Sequence, residues 1–123
     1  MPVLEKIDTR QEAVALAQMI YILCKNNNEI KHDYWLRDQL QRSAVSVASN
    51  IAEWNDRETN KEFVRFLYIA RGSCSELKTQ LYIIKWLWYL STEEFDNLIW
   101  KNIKVHKMIN GIIKSIKKQD KEV

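Results

Sequence analysis

The sequence predicts an all-α fold, an up-and-down four-helix bundle, and three observations carry that expectation. Among 123 residues there are two glycines and one proline, Pro2, a shortage of breakers that suits long helices and leaves a sheet without turns. Apolar residues recur at three- and four-residue spacing through four long stretches. A hydroxyl residue followed three positions later by Glu stands near three helix starts, at Thr9/Glu12, Thr59/Glu62 and Ser91/Glu94, where side chain and backbone can satisfy each other's open donors. A chain of this length supports one core, so residues 1–123 read as a single domain.

The first helix, about Thr9 to Lys25, aligns Ala13, Leu16, Ala17, Ile20, Leu23 and Cys24 on one face. The polar run Asn26 to Asp33 breaks the pattern. A second helix, about Tyr34 to Trp54, aligns Leu36, Leu40, Ser43, Val47, Ile51 and Trp54, and its small residues from Ser43 to Ser49 allow a neighbour to approach closely. After a break at Asn55 to Glu58, a third helix can run from Asn60 to Leu90, which at ~1.5 Å per residue is roughly 45 Å. Its main stripe is Phe63, Phe66, Leu67, Ala70, Cys74, Leu77, Leu81, Ile84 and Trp88. The fourth, about Thr92 to Lys118, buries Leu98, Val105, Met108, Ile109, Ile112, Ile113 and Ile116.

The last two helices carry apolar residues beyond those stripes. Val64, Tyr68, Tyr82 and Trp86 form a second stripe on the third helix, with Ile69, Ile83 and Leu87 on its other flank, and Trp100 and Ile103 fall among lysines on the fourth. A lone bundle leaves much of that in water, so a homo-oligomer is expected, with Tyr68, Tyr82, Trp86, Trp100 and Ile103 at its interface. The plainer alternative is loop packing over these residues, singly exposed apolar residues being normal.

Net charge is +3, unevenly placed. From Lys101 to Val123 seven lysines face Asp120 and Glu122, a local +5 that leaves −2 for residues 1–100. Cys24 and Cys74 lie in apolar helical stretches, where a free thiol acts as a small hydrophobe, and a reducing cytoplasm suits them. The opening MPVLEKIDTR lacks a basic segment followed by an apolar one, and the most apolar run, Leu81 to Leu90, is short and interrupted by Lys85. Neither a signal peptide nor a membrane span is expected.

Helical bundles often hold two metals, which takes two Glu-x-x-His pairs and two further carboxylates. One such pair exists, Glu29/His32, within the polar break, and the other histidine, His106, has Ile103 three residues before it. Two cysteines lack the further ligands of a zinc site. Ser75/Lys78 and Ser115/Lys118 match Ser-x-x-Lys without any accompanying motif, and the two glycines are too far apart for a phosphate loop. No catalytic residue, metal, cofactor or enzymatic activity is expected.

There remains the lysine face of the last helix. It reads either as a solvated surface, cations being favoured near a helix C-terminus, or as one sector of a basic belt that several subunits build to neutralise nucleic-acid phosphates. The candidates are Lys104, Lys107, Lys114, Lys117 and Lys118. Arg42, Arg57, Arg65 and Arg71 add guanidiniums on the second and third helices and at the break between them, although pairing with nearby acids is their ordinary explanation.

The stretch from Gln39 to Glu53, above all Ser49-Asn-Ile-Ala-Glu53, and the stretch from Lys61 to Leu81, with Gly72-Ser73, Glu76-Leu77 and Thr79-Gln80-Leu81, resemble the four-helix bundle proteins encoded in intervening sequences of bacterial 23S ribosomal RNA genes. Those proteins resemble in turn the accessory variability protein (Avd) of diversity-generating retroelements. Ala48 stands where the family usually has Pro, Trp54 where it usually has Gly, and Gln41 where a second basic residue is common. Losing the proline leaves the second helix straighter, and Trp54 gives up an easy left-handed cap while adding contact surface. The resemblance implies a pentameric barrel of bundles without known catalytic residues. Its retroelement branch implies a cytoplasmic accessory role, binding a reverse transcriptase and its RNA through a basic surface. The expected function is therefore a non-enzymatic homo-oligomer, a pentamer, that binds RNA or DNA or a nucleoprotein. The alternative is a structural or protein–protein interaction module without nucleic acid.

Overall fold

The computed structural model describes residues 3–57 and 61–122, with side chains at 6, 8–57 and 61–119. The described chain is helical, without strands: α1 (Val3–Asn26), α2 (Asn28–His32), α3 (Tyr34–Asn55), α4 (Val64–Trp86) and α5 (Thr92–Glu122).

Contacts between the four long helices set the early part of one beside the late part of the next, or middle against middle, which makes each antiparallel to its neighbours. Between α1 and α3, Lys6 lies 5.4 Å from the Trp54 ring and Arg10 lies 3.6 Å from Asp56. Between α3 and α4, the Ser73 hydroxyl donates to Ser46 at 2.7 Å. Between α4 and α5, Lys117 stands over Tyr68, Asn102 donates to the Cys74 carbonyl at 2.9 Å, and Tyr82 meets Phe95 edge-on. Between α5 and α1, Lys101 donates to Glu12 at 2.6 Å. The order around the core is thus α1, α3, α4, α5. One pole gathers the starts of α1 and α4 with the ends of α3 and α5; the other gathers the opposite ends and α2.

Leu16, Ile20, Leu40, Ile51, Leu67, Leu77, Leu81, Ile84 and Ile109 are fully buried between these helices. Each such side chain contributes roughly 1.5–3 kcal/mol relative to an exposed one. Cys24 and Cys74 are buried among them, and loss of water raises the two thiols to about 11 and about 12, so neither is a ready nucleophile.

The structure corrects several expected boundaries. α1 begins at Val3, not Thr9; Thr9 lies one turn before Ala13 on the same buried stripe, and Glu12 turns to α5 instead of capping. Ser91/Glu94 is a true reciprocal cap: Glu94 N–H donates to the Ser91 hydroxyl at 3.1 Å, and Ser91 N–H to Glu94 at 3.2 Å. Thr59 lies outside the described residues, and α4 starts from Phe63 without a side-chain cap. The polar run after α1 is itself structured as α2, capped by Asn27 and anchored by the buried Ile30.

Two tryptophans also depart from expectation. Trp54 is wholly buried, so its extra surface serves the core, and α3 closes on Asp56 in an ordinary right-handed conformation that needs no glycine. Trp88 does not continue the core stripe: α4 stops at Trp86, Trp88 has φ of 64°, and its side chain is 90% exposed. Trp88 N–H bonds to Lys85 O and Tyr89 N–H to Ile84 O, both at 3.0 Å, a closure that normally places glycine at the left-handed position. A bulky residue there costs about 1–2 kcal/mol. Leu90 and Phe95 fill the core beyond the turn. Among the described residues no helix is long and apolar enough to cross a membrane.

Candidate functional site

α5 turns Leu98, Val105, Ile109, Ile112, Ile113 and Ile116 inward, which forces its lysines outward onto two different flanks. On the flank facing α1, Lys101 and Lys104 converge on Glu12 at 2.6 and 3.3 Å. The hydrogen bond from Lys101, more than that from Lys104, holds the Glu12 carboxyl below its ordinary 4.5 against the opposing effect of burial. Lys104, a nucleic-acid candidate on sequence, is therefore already in an ion pair.

On the flank facing α4 the arrangement differs. Arg71, Asn110, Ile113, Lys114, Lys117 and Lys118 line a groove of about 470 Å³ between the two helices. Arg71 donates to the Asn110 side-chain oxygen at 3.2 Å, and its guanidinium lies 5.0 Å from the Tyr68 ring centre. Lys117 lies 5.5 Å from the same ring, so one aromatic face system attracts two cations and limits where they wander. Among the residues whose side chains are described, no carboxylate lines the groove and Arg71, Lys114, Lys117 and Lys118 have no acidic partner. His106 senses the charge: burial first, then Arg71 and Lys78, push its pKa below 6.5.

The remaining candidates divide. Lys107 is exposed on α5 outside the groove lining. Arg42 belongs to a separate depression between α3 and α4, with Ser43, Ser46, Ile69, Gly72, Ser73 and Glu76. Arg57 pairs with Glu53 and, with Arg65, covers the stacked rings of Phe63 and Phe66 near the α3–α4 turn, at the same pole as Lys117. Of the interface candidates, Tyr68 is partly buried beside Arg71 and Lys117, next to the basic groove, and Ile103 is partly buried. Tyr82, Trp86 and Trp100 are 50%, 80% and 66% exposed.

The sequence shows neither Asn110 as a partner of Arg71 nor Glu12 as a partner of Lys101 and Lys104, because both act across helices. The spacing from Tyr68 to Arg71 is the one local signal, since residues three apart share a helix face. Glu29 and His32 sit exposed on α2, where His32 Nδ1 lies 2.8 Å from Asn28 O; among the described residues no group of three or more His, Cys, Asp or Glu could hold a metal.

A family model described as the 23S rRNA-intervening sequence protein matches residues 5–111. That span includes Tyr68, Arg71 and Asn110 and stops short of Lys114, Lys117 and Lys118. No curated protein matches the chain. Among solved structures, the chain is similar to the crystal structure of a protein of unknown function from the S23 ribosomal protein family of Bacteroides thetaiotaomicron VPI-5482, with a TM-score of 0.80 and 21% identity over 89% of this chain and 98% of that one. At that identity the likeness concerns the fold.

Proposed function

This chain belongs to the 23S rRNA-intervening sequence protein family, and from that premise we propose a non-enzymatic, homo-oligomeric accessory protein that binds nucleic acid through a basic surface. The observation that carries the reading is the α4–α5 groove, which brings Arg71, Lys114, Lys117 and Lys118 together, with no carboxylate among its described lining residues. Placing such charges side by side is unfavourable, and a polyanion relieves the repulsion while releasing its own condensed counterions. The family's name supports RNA as the ligand. The finer proposals are a cytoplasmic pentamer, in which five grooves form one basic belt, and a nucleoprotein partner, a reverse transcriptase with its RNA, as in diversity-generating retroelements.

Retention on immobilised RNA and DNA at low salt tests the reading. Binding is expected for the wild type and strongly reduced for Lys114→Glu/Lys117→Glu/Lys118→Glu; no retention of the wild type on either polymer would refute it. A second reading, a protein-interaction module without nucleic acid, draws on the exposed Tyr82, Trp86 and Trp100. It predicts normal partner or subunit assembly in the charge-reversed variant and loss of assembly when the tryptophans are removed.

A further inference from the structure

We infer that the nucleic acid taken by this surface is single-stranded, and that Arg65 is the residue on which one of its unpaired bases stacks. The inference rests on the binding proposed above and names the class of polymer that the α4–α5 groove accepts.

Position is the first argument. Arg65, Tyr68 and Arg71 are spaced three apart on α4, so they follow one another along a single slanted stripe of about 9 Å. Arg71 lines the groove, and Lys117 reaches the Tyr68 ring from α5. Arg65 continues the stripe out of the groove towards Phe63 and Phe66, whose rings stack 6.1 Å apart. A strand with its phosphates on Lys114, Lys117 and Lys118 can follow that stripe across Tyr68 to Arg65.

Chemistry is the second. Arg65 lies 5.8 Å from the Phe63 ring centre and 5.1 Å from that of Phe66, and yet the residue is exposed. The two rings limit where the guanidinium wanders and leave it open to solvent. A planar guanidinium held in this way offers a stacking face for a base, as an ammonium cannot. Arg57 lies against the same two rings but pairs with Glu53. Among the residues whose side chains are described, Arg65 has no acidic partner.

Binding to phosphates alone needs no such arrangement. A duplex keeps its bases stacked inside and offers phosphate and sugar to a protein, for which lysines suffice. Rings and guanidiniums set among lysines form the combination that holds unpaired bases by their faces. Shape agrees: the groove holds about 470 Å³, the scale of a small-molecule pocket, which admits a piece of one strand and not the width of a duplex.

Fluorescence anisotropy tests this with a labelled, unstructured RNA strand of mixed sequence and with the same strand annealed to its complement, at one salt concentration. Wild type is expected to bind the single strand about tenfold tighter than the duplex. Arg65→Lys keeps the charge and suits an exposed helix position, so the fold is expected to stand. It is expected to lose about fivefold in affinity for the single strand, with duplex affinity, salt slope and competition by inorganic polyphosphate unchanged. Duplex binding as tight as that of the single strand overturns the inference and leaves the basic groove standing. So does an Arg65→Lys protein that binds the single strand like wild type, or that loses equally on strand and duplex. No wild-type binding to either form overturns the groove as well.

Discussion

Lys101 and Lys104 share the sign of Lys114, Lys117 and Lys118 but not their circumstances, because the first two share Glu12 as an ion-pair partner. That carboxylate is about three-quarters buried, so its pairing bears on stability more than an exposed ion pair does. Glu12→Gln is expected to lower unfolding free energy by about 1 kcal/mol at neutral pH. The folded pKa of Glu12 is below the unfolded one, so its contribution is complete above about pH 4.5 and is lost as pH falls through the lowered folded value. Denaturation of the variant should therefore show a shallower acid limb than wild type. His106 offers a second reading at this scale. Arg71 and Lys78 help hold its pKa down, so a phosphate drawn to Arg71 should move the imidazole pKa upward. Proton NMR titration with and without an oligonucleotide measures that shift, and an unchanged value would count against the groove.

At the scale of elements, the helical periodicity of the sequence identified the four long helices, and the start of α5 to the residue. Ser91→Ala is expected to lower the melting temperature through a loss of about 1 kcal/mol, since it leaves Glu94 N–H without its hydroxyl acceptor. Calorimetry checks it. The other ends were harder to read for identifiable reasons. Thr9 has the right spacing to Glu12, but a buried stripe extends α1 past it and Glu12 has a stronger partner across the bundle. The end of α4 carries no glycine, and nothing local distinguishes a left-handed Trp88 from one that continues the helix. The candidate site was legible as a set of lysines and not as a groove, because Asn110, Tyr68 and Arg71 join it only when α4 and α5 lie side by side. Tyr68 shows the same limit: its apolar ring suggested an interface, and the packing of α4 on α5 also sets two cations against it. Tyr68→Leu removes their shared anchor and is expected to weaken nucleic-acid binding severalfold with little change in fold, measurable by fluorescence anisotropy.

The whole molecule is polarised. Antiparallel packing sends the ends of α3 and α5 and the start of α4 to one pole, where Arg57, Arg65, Lys117 and Lys118 collect. The opposite pole receives Trp35, Trp86 and Trp88, each at least 71% exposed. Charge thus collects towards one end and exposed aromatic surface at the other, and the basic end is the one that suits a polyanion. The most direct test of that account is the salt dependence of RNA binding for wild type and Lys114→Ala/Lys117→Ala/Lys118→Ala. The account predicts a wild-type log affinity that falls linearly with log salt, and a variant slope shallower by roughly 2, three phosphates at about 0.7 each. Equal slopes for the two proteins, or no wild-type binding at low salt, would contradict it.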